Sequence, residues 1–95
     1  MNKIIASNRF SKFKKHSSAP LQIEIDRHVK LIANNPNIGE LKKRDLKGIR
    51  VYKFKFKTQQ YLLSYEVLND ILYLYLIGSH ENYYKKLKKY ISRMP

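Results

Sequence analysis

Val51-Tyr52-Lys53-Phe54-Lys55-Phe56-Lys57 alternates, after its first residue, between aromatic and basic side chains. Successive side chains of a β-strand point to opposite faces, so this run predicts a strand with aromatic residues on one face. The other face would carry a ladder of three lysines. Upstream of Gly48 the hydrophobic period is helical, and downstream it is extended. This stretch therefore divides the chain into a helical first part and a sheet-forming second part.

Two further strands are predicted after this one, over residues 60–68 and 71–77. Asn69-Asp70 joins them, and both residue types tolerate the positive φ of a tight hairpin turn. In the last strand, alternation assigns residues to two faces. One face holds Leu72, Leu74 and Leu76, and the other holds Ile71, Tyr73, Tyr75 and Ile77.

A last helix is predicted to follow, with Gly78 ending the strand and Ser79 capping the helix. Its apolar stripe repeats every four residues, at Tyr83, Leu87 and Ile91.

Two helices are predicted before the sheet. Residues 8–15 carry two phenylalanines three positions apart and follow a possible short strand, Lys3–Ala6. Ser17-Ser18-Ala19-Pro20 then predicts an N-cap and a first helical turn. Leu21, Ile25, Val29 and Ile32 form the apolar stripe of this second helix, which Asn35-Pro36 ends.

The predicted fold class is therefore α+β, in one domain spanning residues 1–95. Two N-terminal helices, expected to form an antiparallel pair, pack on a small antiparallel sheet of three to four strands. A C-terminal helix completes the domain.

The composition narrows the function. The chain has 95 residues, 43% of them hydrophobic, and 20 Lys+Arg against 7 Asp+Glu give a net charge of +13. It contains no cysteine, no apolar run near the ~18 residues of a membrane span, no glycine-rich phosphate loop and no paired carboxylates. We expect a cytoplasmic protein that binds polyanions, with no membrane partner, no metal and no small-molecule cofactor.

The lysine ladder is the first candidate site. Alternate residues of a strand are ~7 Å apart, close to the phosphate spacing of an extended nucleic-acid strand. A solvated outer face, or edge lysines that prevent strand addition, would give the same pattern.

His80 is the second candidate, at the junction of the last strand and the last helix. Imidazole suits proton transfer near neutral pH, Glu81 could orient it, and Tyr84 would lie one helical turn away, where it could stack on a base. Alternatively, His80 and Glu81 serve the first helical turn and the two tyrosines pack in the core. His16 and His28 are interpreted as structural.

Short motifs in a characteristic order give the chain a family resemblance. They are Asn35-Pro36-x-x-Gly39, Leu46-x-Gly48-Ile49-Arg50-Val51-Tyr52-Lys53-Phe54, Leu63-x-Tyr65 and Ile77-Gly78-Ser79-His80-Glu81-Asn82-Tyr83-Tyr84. Together they resemble the RelE/ParE superfamily of bacterial type II toxins. The closing motif is similar to that of the RelE-like and YafQ-like branch.

The resemblance implies a toxin silenced by a cognate antitoxin, expected to bind through an acidic segment. RelE-type members enter the A site of the 70S ribosome and cut mRNA without a metal. The ribose 2′-OH attacks its own 3′ phosphate, giving a 2′,3′-cyclic phosphate and a free 5′-OH. The residues implied in catalysis are His80, Lys53, Lys55 and Tyr84. Those implied in substrate binding are Arg50, Lys57, Glu81, Tyr83 and Lys85.

One position departs from the family pattern. Many members carry an arginine just before the Leu-x-Tyr core of the strand, where this chain has Leu62. Either a phosphate clamp then comes from elsewhere, or the catalytic arrangement differs from that of the family. Two alternatives to the endonuclease remain open: a ParE-type inhibitor of DNA gyrase, and a nucleic-acid-binding module without catalysis. His80 and the lysines favour the nuclease, because gyrase inhibition requires neither.

Overall fold

The computed structural model describes residues 3–46 and 48–93. These residues form three α-helices, five strands and one 3₁₀ turn. In chain order the elements are β1 (Lys3–Ala6), α1 (Asn8–Lys15), α2 (Ala19–Asn34), β2 (Glu40–Leu41), the 3₁₀ turn (Arg44–Leu46), β3 (Arg50–Phe56), β4 (Gln59–Leu68), β5 (Ile71–Ser79) and α3 (Tyr83–Ser92). The predicted α+β class is confirmed.

Serine side chains cap the N-termini of both N-terminal helices. Ser7 accepts a hydrogen bond from the Phe10 amide at 3.0 Å, and Ser18 accepts one from the Leu21 amide at 3.3 Å. These caps satisfy amides that have no partner within the helix. Of the helices in the described part of the chain, none is long and apolar enough to cross a membrane.

The five strands form one sheet in the order β1-β5-β4-β3-β2. The antiparallel meander of β3, β4 and β5 is confirmed. The sheet has one strand more than the three to four predicted, because the two-residue β2 adds an edge beside β3, and it is mixed, because β1 pairs in parallel with β5. β1 and β5 are far apart in sequence, and local periodicity carries no information on such a pairing.

Residues with left-handed backbone conformations make both hairpin turns. Asn69 and Asp70 have φ of 52° and 64°, the conformation of a type I′ turn. In the hairpin before it, β3 ends at Phe56 and Lys57 lies in the turn with φ of 56°. The prediction that Lys57 is the third rung of a strand ladder is therefore wrong, because the chain reverses one residue earlier.

A β-bulge reverses the faces of β5 halfway along the strand. Ser64 pairs with Leu76, but the next residue of β4 pairs with Leu74, which leaves Tyr75 without a partner. One extra residue exchanges the two faces of a strand. Leu76 consequently packs under α3, and Ile77 packs on the side of α1 and α2. The predicted faces of these two residues are wrong for this reason.

The sheet has a separate hydrophobic core on each face. The core beneath α1 and α2 comprises Phe10, Leu21, Ile25, Ile32, Phe54, Leu63, Tyr65, Leu72, Leu74 and Ile77. The core beneath α3 comprises Leu46, Ile49, Val51, Leu62, Tyr75, Leu76, Tyr83 and Leu87. We refer to these sides as the α1–α2 face and the α3 face.

The connection from β5 to α3 differs from the predicted one. β5 continues through Gly78 to Ser79, so Gly78 does not end the strand and Ser79 does not cap the helix. The N-cap is Asn82, which has φ of 57° and makes no side-chain capping bond. His80 and Glu81 therefore lie in a turn between the two elements.

Candidate functional site

Lys53 and Lys55 are exposed on the α3 face of β3. Their neighbour Phe54 is 5% exposed and packs on the opposite face, as the alternation predicts. Val51 shares the face of the lysines but is buried in the core beneath α3. Two of the three predicted lysine rungs are thus in place, side by side and open to solvent.

The register of the sheet aligns His80 with Lys55. Lys55 pairs with Gln60, and the His80 amide donates to the Gln60 carbonyl at 3.1 Å, extending the β4–β5 ladder past its last strand residue. Adjacent strands are about 4.8 Å apart, so the backbones of Lys55 and His80 are separated by about 10 Å. In the adjoining row, Lys53 pairs with Leu62, which pairs with Gly78.

Tyr84 lies beside Lys42 rather than one helical turn from His80. α3 begins at Tyr83, so His80 precedes the helix and the predicted spacing does not apply. The half-buried Tyr84 ring has the Lys42 Nζ 5.0 Å from its centroid. The Tyr83 ring is perpendicular to it, with the two centroids 5.7 Å apart. A base stacking on Tyr84 would share the ring with the Lys42 ammonium.

Tyr83 belongs to the core and not to a binding surface. It is 1% exposed, and its hydroxyl lies 2.7 Å from the Leu76 carbonyl oxygen and 2.8 Å from the Ser64 Oγ. Burial raises the pKa of this phenol well above its usual range. The implied substrate-binding role of its side chain is wrong, because no part of that side chain is available to a ligand.

Arg50 lies away from the two lysines. Its position on β3 is on the α1–α2 face, paired with Tyr65. Its guanidinium donates to the Gly39 carbonyl at 2.8 Å, while the Tyr65 hydroxyl donates to the Pro36 carbonyl at 2.7 Å and accepts from the Gly39 amide at 2.9 Å. These bonds hold the segment that leads into β2. The half-buried Arg50 thus has structural partners, and its implied substrate-binding role stays a prediction.

The remaining implied residues are at the surface. Glu81, in the turn before α3, and Lys85, in the first turn of α3, are exposed. Lys57 is also exposed, and its Nζ lies 5.6 Å from the centroid of the Phe56 ring.

His28 has a structural environment, as its sequence position predicts. Its Nδ1 lies 2.5 Å from the Tyr52 hydroxyl, its Nε2 lies 3.3 Å from Glu24, and its ring stacks on Phe54 at 4.4 Å. Burial, reinforced by the positive charge of Arg27, lowers the pKa of this imidazole. His16 is exposed at the C-terminal end of α1.

A protein-family model matches residues 4–88 of the chain, and its description is a ParE-like toxin of a type II bacterial toxin–antitoxin system. The chain belongs to this family. No curated protein sequence matches it.

The fold of this ParE-like toxin is also that of solved RelE structures from E. coli. A free-state mutant of RelE is 14% identical, with a TM-score of 0.72 and coverage of 96% of both chains. RelE in the intact RelBE toxin–antitoxin complex is 19% identical, with a TM-score of 0.65, covering 82% of this chain and 95% of that one. The isolated RelE toxin is 19% identical, with a TM-score of 0.63 and coverage of 90% and 95%.

Leu62 explains the departure from the family pattern. In this ParE-like toxin the residue is fully buried in the core beneath α3, between Lys53 on one strand and Gly78 on the other. An arginine here would have to place its guanidinium in that core or displace α3. Any further positive charge beside Lys53 would have to come from other elements.

A basic groove on the α3 face was not predicted from the sequence. It has a volume of about 480 Å³ and is lined by Lys42, Lys43, Arg44, Asp45, Leu46, Tyr84 and Lys88. The run Lys42-Lys43-Arg44 was the available signal in the sequence. Its pairing with the start of α3 depends on the tertiary structure.

Glu40 connects this groove to the strand lysines. It forms an ion pair with Lys42, which raises the pKa of the Lys42 ammonium. The pKa of the Glu40 carboxyl is lowered by Lys42 and, to a smaller extent, by Lys53. Lys53, Glu40 and Lys42 are therefore electrostatic neighbours.

Proposed function

We propose that this type II toxin is a ribosome-dependent mRNA endonuclease that uses no metal. The strongest support is the sheet register, which aligns the solvent-exposed Lys55 with His80 across β4. Cations and one titratable side chain then share a single open face. That combination is suited to a phosphodiester that loses and gains protons while negative charge builds on its oxygens.

The reaction is attack of the ribose 2′ oxygen on the adjacent phosphorus. The bond from phosphorus to the 5′ oxygen breaks, leaving a 2′,3′-cyclic phosphate on one product and a 5′-OH on the other. One proton leaves the 2′-OH and one reaches the 5′ oxygen, and we assign one of these transfers to His80. Lys53 and Lys55 stabilise the negative charge of the phosphorane. Tyr84 stacks on a base, and Lys85 and Glu81 contact the flanking RNA.

An acidic antitoxin is the second partner in this proposal. The net charge of +13 would attract cellular RNA without selectivity, so a silencing protein should present carboxylates to the α3 face. RelE, a structural neighbour of this toxin, was solved in a complex with its antitoxin. We place the toxin, its antitoxin and its mRNA target in the cytoplasm.

Substitution of His80 by alanine tests the proposed catalysis. We expect His80→Ala to reduce mRNA cleavage on translating ribosomes by a factor of about 100 or more, because a positioned acid–base group contributes at least that much. Primer extension on the mRNA measures cleavage, and co-sedimentation with ribosomes should be nearly unchanged. His16→Ala is the matched control. Cleavage by His80→Ala at the wild-type rate would exclude His80 from proton transfer.

Inhibition of DNA gyrase, the activity of ParE-type toxins, is the alternative, since the family model is described as ParE-like. Expression without antitoxin should arrest growth in either case. A DNA supercoiling assay separates them: a wild-type toxin that blocks gyrase and leaves ribosome-bound mRNA intact would overturn the endonuclease proposal.

A further inference from the structure

The groove between the 3₁₀ turn and α3 has the side chains of a nucleotide-binding surface. Four cations line it, Lys42, Lys43, Arg44 and Lys88, together with the half-buried ring of Tyr84. Cations beside an aromatic ring bind single-stranded nucleic acids, because phosphates contact the cations while a base stacks on the ring. The groove thus offers both kinds of contact within one short stretch of surface.

The cations of the groove differ in how far they are already engaged. Lys42 is paired with Glu40 and lies over Tyr84. The Lys88 Nζ is 3.8 Å from Asp45, with side chains 57% and 74% exposed, and such exposed pairs are weak. Among residues 3–46 and 48–93, Lys43 and Arg44 form no ion pair. Lys43 and Arg44 are therefore available to an anion, and Lys88 can exchange its partner for one.

The groove is continuous with the proposed cleavage site. Glu40 on β2 forms an ion pair with Lys42, in the groove, and pairs with Val51, two residues before Lys53 on the same face of β3. Cationic side chains therefore follow the α3 face from Lys55 through Lys53 to the groove, with Glu40 between Lys53 and Lys42. A polyanion bound at Lys53 and Lys55 would enter the groove if it continued past β2.

We infer that this groove is a subsite for the sugar–phosphate backbone of single-stranded RNA. Lys43, Arg44 and Lys88 bind phosphates of nucleotides that flank the scissile bond, and Lys42 accompanies the base on Tyr84. This inference rests on the proposed function, because the RNA path begins at Lys53 and Lys55. The groove also supplies positive charge, which the buried Leu62 cannot provide.

Binding of an uncleavable RNA tests the subsite. The probe is a short single-stranded RNA with 2′-O-methyl groups, which block the attacking oxygen, and fluorescence anisotropy measures its Kd over a series of salt concentrations. The test variant is Lys43→Gln with Arg44→Gln. The matched control is Lys86→Gln with Lys89→Gln, which removes the same charge from exposed positions of α3 outside the groove.

We expect the groove variant to bind about tenfold more weakly than the control, since the hydrogen bonds that it removes are charge-assisted. The slope of log K against log salt should decrease by about 0.7 for each phosphate that the variant no longer neutralises. Equal Kd values and equal slopes for the two variants would overturn the subsite, because only net charge would then matter. Circular dichroism verifies that both variants are folded.

A substitution that removes negative charge from the groove gives a second test. Asp45→Asn removes the carboxylate that occupies Lys88, so binding should become tighter. Asp26→Asn, which removes an exposed carboxylate paired with Lys14 on another surface, should have a smaller effect. Weaker binding by Asp45→Asn, or equal gains from both changes, would contradict the assignment.

These results can be separated from the proposed activity. Wild-type cleavage of ribosome-bound mRNA, combined with groove and control variants that bind alike, would overturn the subsite alone. Groove-dependent RNA binding by a toxin that cuts no mRNA would overturn the endonuclease and retain the subsite.

Discussion

The two faces of β3 carry opposite chemistry although they belong to one strand. On the α1–α2 face, Phe54 is buried and stacks on His28. On the α3 face, Lys53 and Lys55 are exposed. Strict alternation along one strand therefore produces a closed core and an open cationic surface separated only by the backbone.

The helices explain why the outer part of β3 is covered on one face only. α2 has 16 residues and packs against β3, whereas α3 has 10 residues and packs against β5 and the 3₁₀ turn. The outer part of β3 is therefore uncovered on the α3 face. Lys53 and Lys55 therefore stay open to solvent, while Phe54 between them is packed on the other face.

Truncating one aromatic side chain of the closed face should have the largest effect on stability. We expect Phe54→Ala to lower the free energy of unfolding by about 3–5 kcal/mol, because it leaves a cavity among buried side chains. Lys55→Ala, one residue further on, should change it by less than about 0.5 kcal/mol. Urea unfolding measures both. Similar losses for the two variants would show that the faces are not divided as described.

Alanine substitutions at two glycines should have an intermediate effect on stability. A Cβ on Gly39 would lie 2.8 Å from the hydroxyl oxygen of Tyr65, which is fully buried and hydrogen-bonded to the Pro36 carbonyl. We expect Gly39→Ala to cost about 1–3 kcal/mol through overpacking. A Cβ on Gly78 would meet only Tyr83 Cδ1, at 3.7 Å, an ordinary contact.

Gly78→Ala is thus the control for this prediction. It should change the free energy of unfolding by less than about 1 kcal/mol and can raise it, since alanine restricts the unfolded chain. Equal urea midpoints for the two variants would contradict the tight packing around Gly39.

The histidine of the closed face should produce the smallest effect, a dependence of stability on pH. Burial lowers the pKa of His28 in the folded state. Between that lowered pKa and the ordinary histidine pKa of about 6.5, the unfolded state therefore binds more protons than the folded state. The free energy of unfolding should fall as the pH decreases from about 7 towards the lowered pKa.

Replacing the imidazole removes this titration. His28→Gln should flatten the pH dependence in that range, while His16→Gln, at an exposed position, should leave it unchanged. Urea unfolding at several pH values measures both slopes. A slope in His28→Gln equal to that of the wild type would assign the dependence to other groups.

Local sequence was sufficient for most elements of the fold. Ser18 begins α2, Asn35-Pro36 ends it, and Asn69-Asp70 forms the turn of the last hairpin. These features are predictable because caps and turns depend on neighbouring residues. The bulge at Tyr75 and the parallel pairing of β1 with β5 depend on contacts between distant segments. The hydrophobic periodicity of the sequence predicts neither the bulge nor the parallel pairing.

The candidate site was predictable only in part. Exposure of Lys53 and Lys55 follows from alternation with buried aromatic residues. Tyr83 was misassigned because a polar side chain can be buried when the fold supplies partners, and here the partners are the Leu76 carbonyl and the Ser64 hydroxyl. Those partners are 7 and 19 residues away along the chain, in β5 and β4.

The sequence by itself determined the α+β class, the cationic strand and the surplus of positive charge, because periodicity and composition are local or additive properties. The tertiary structure decided which residues share the open face. It aligned Lys55 with His80 through the register of three strands, and it buried Leu62 in the core beneath α3. It also brought the Lys42-Lys43-Arg44 run against α3 to form the groove. Each of these arrangements depends on packing between segments that are distant in the chain, and local sequence patterns do not predict such packing.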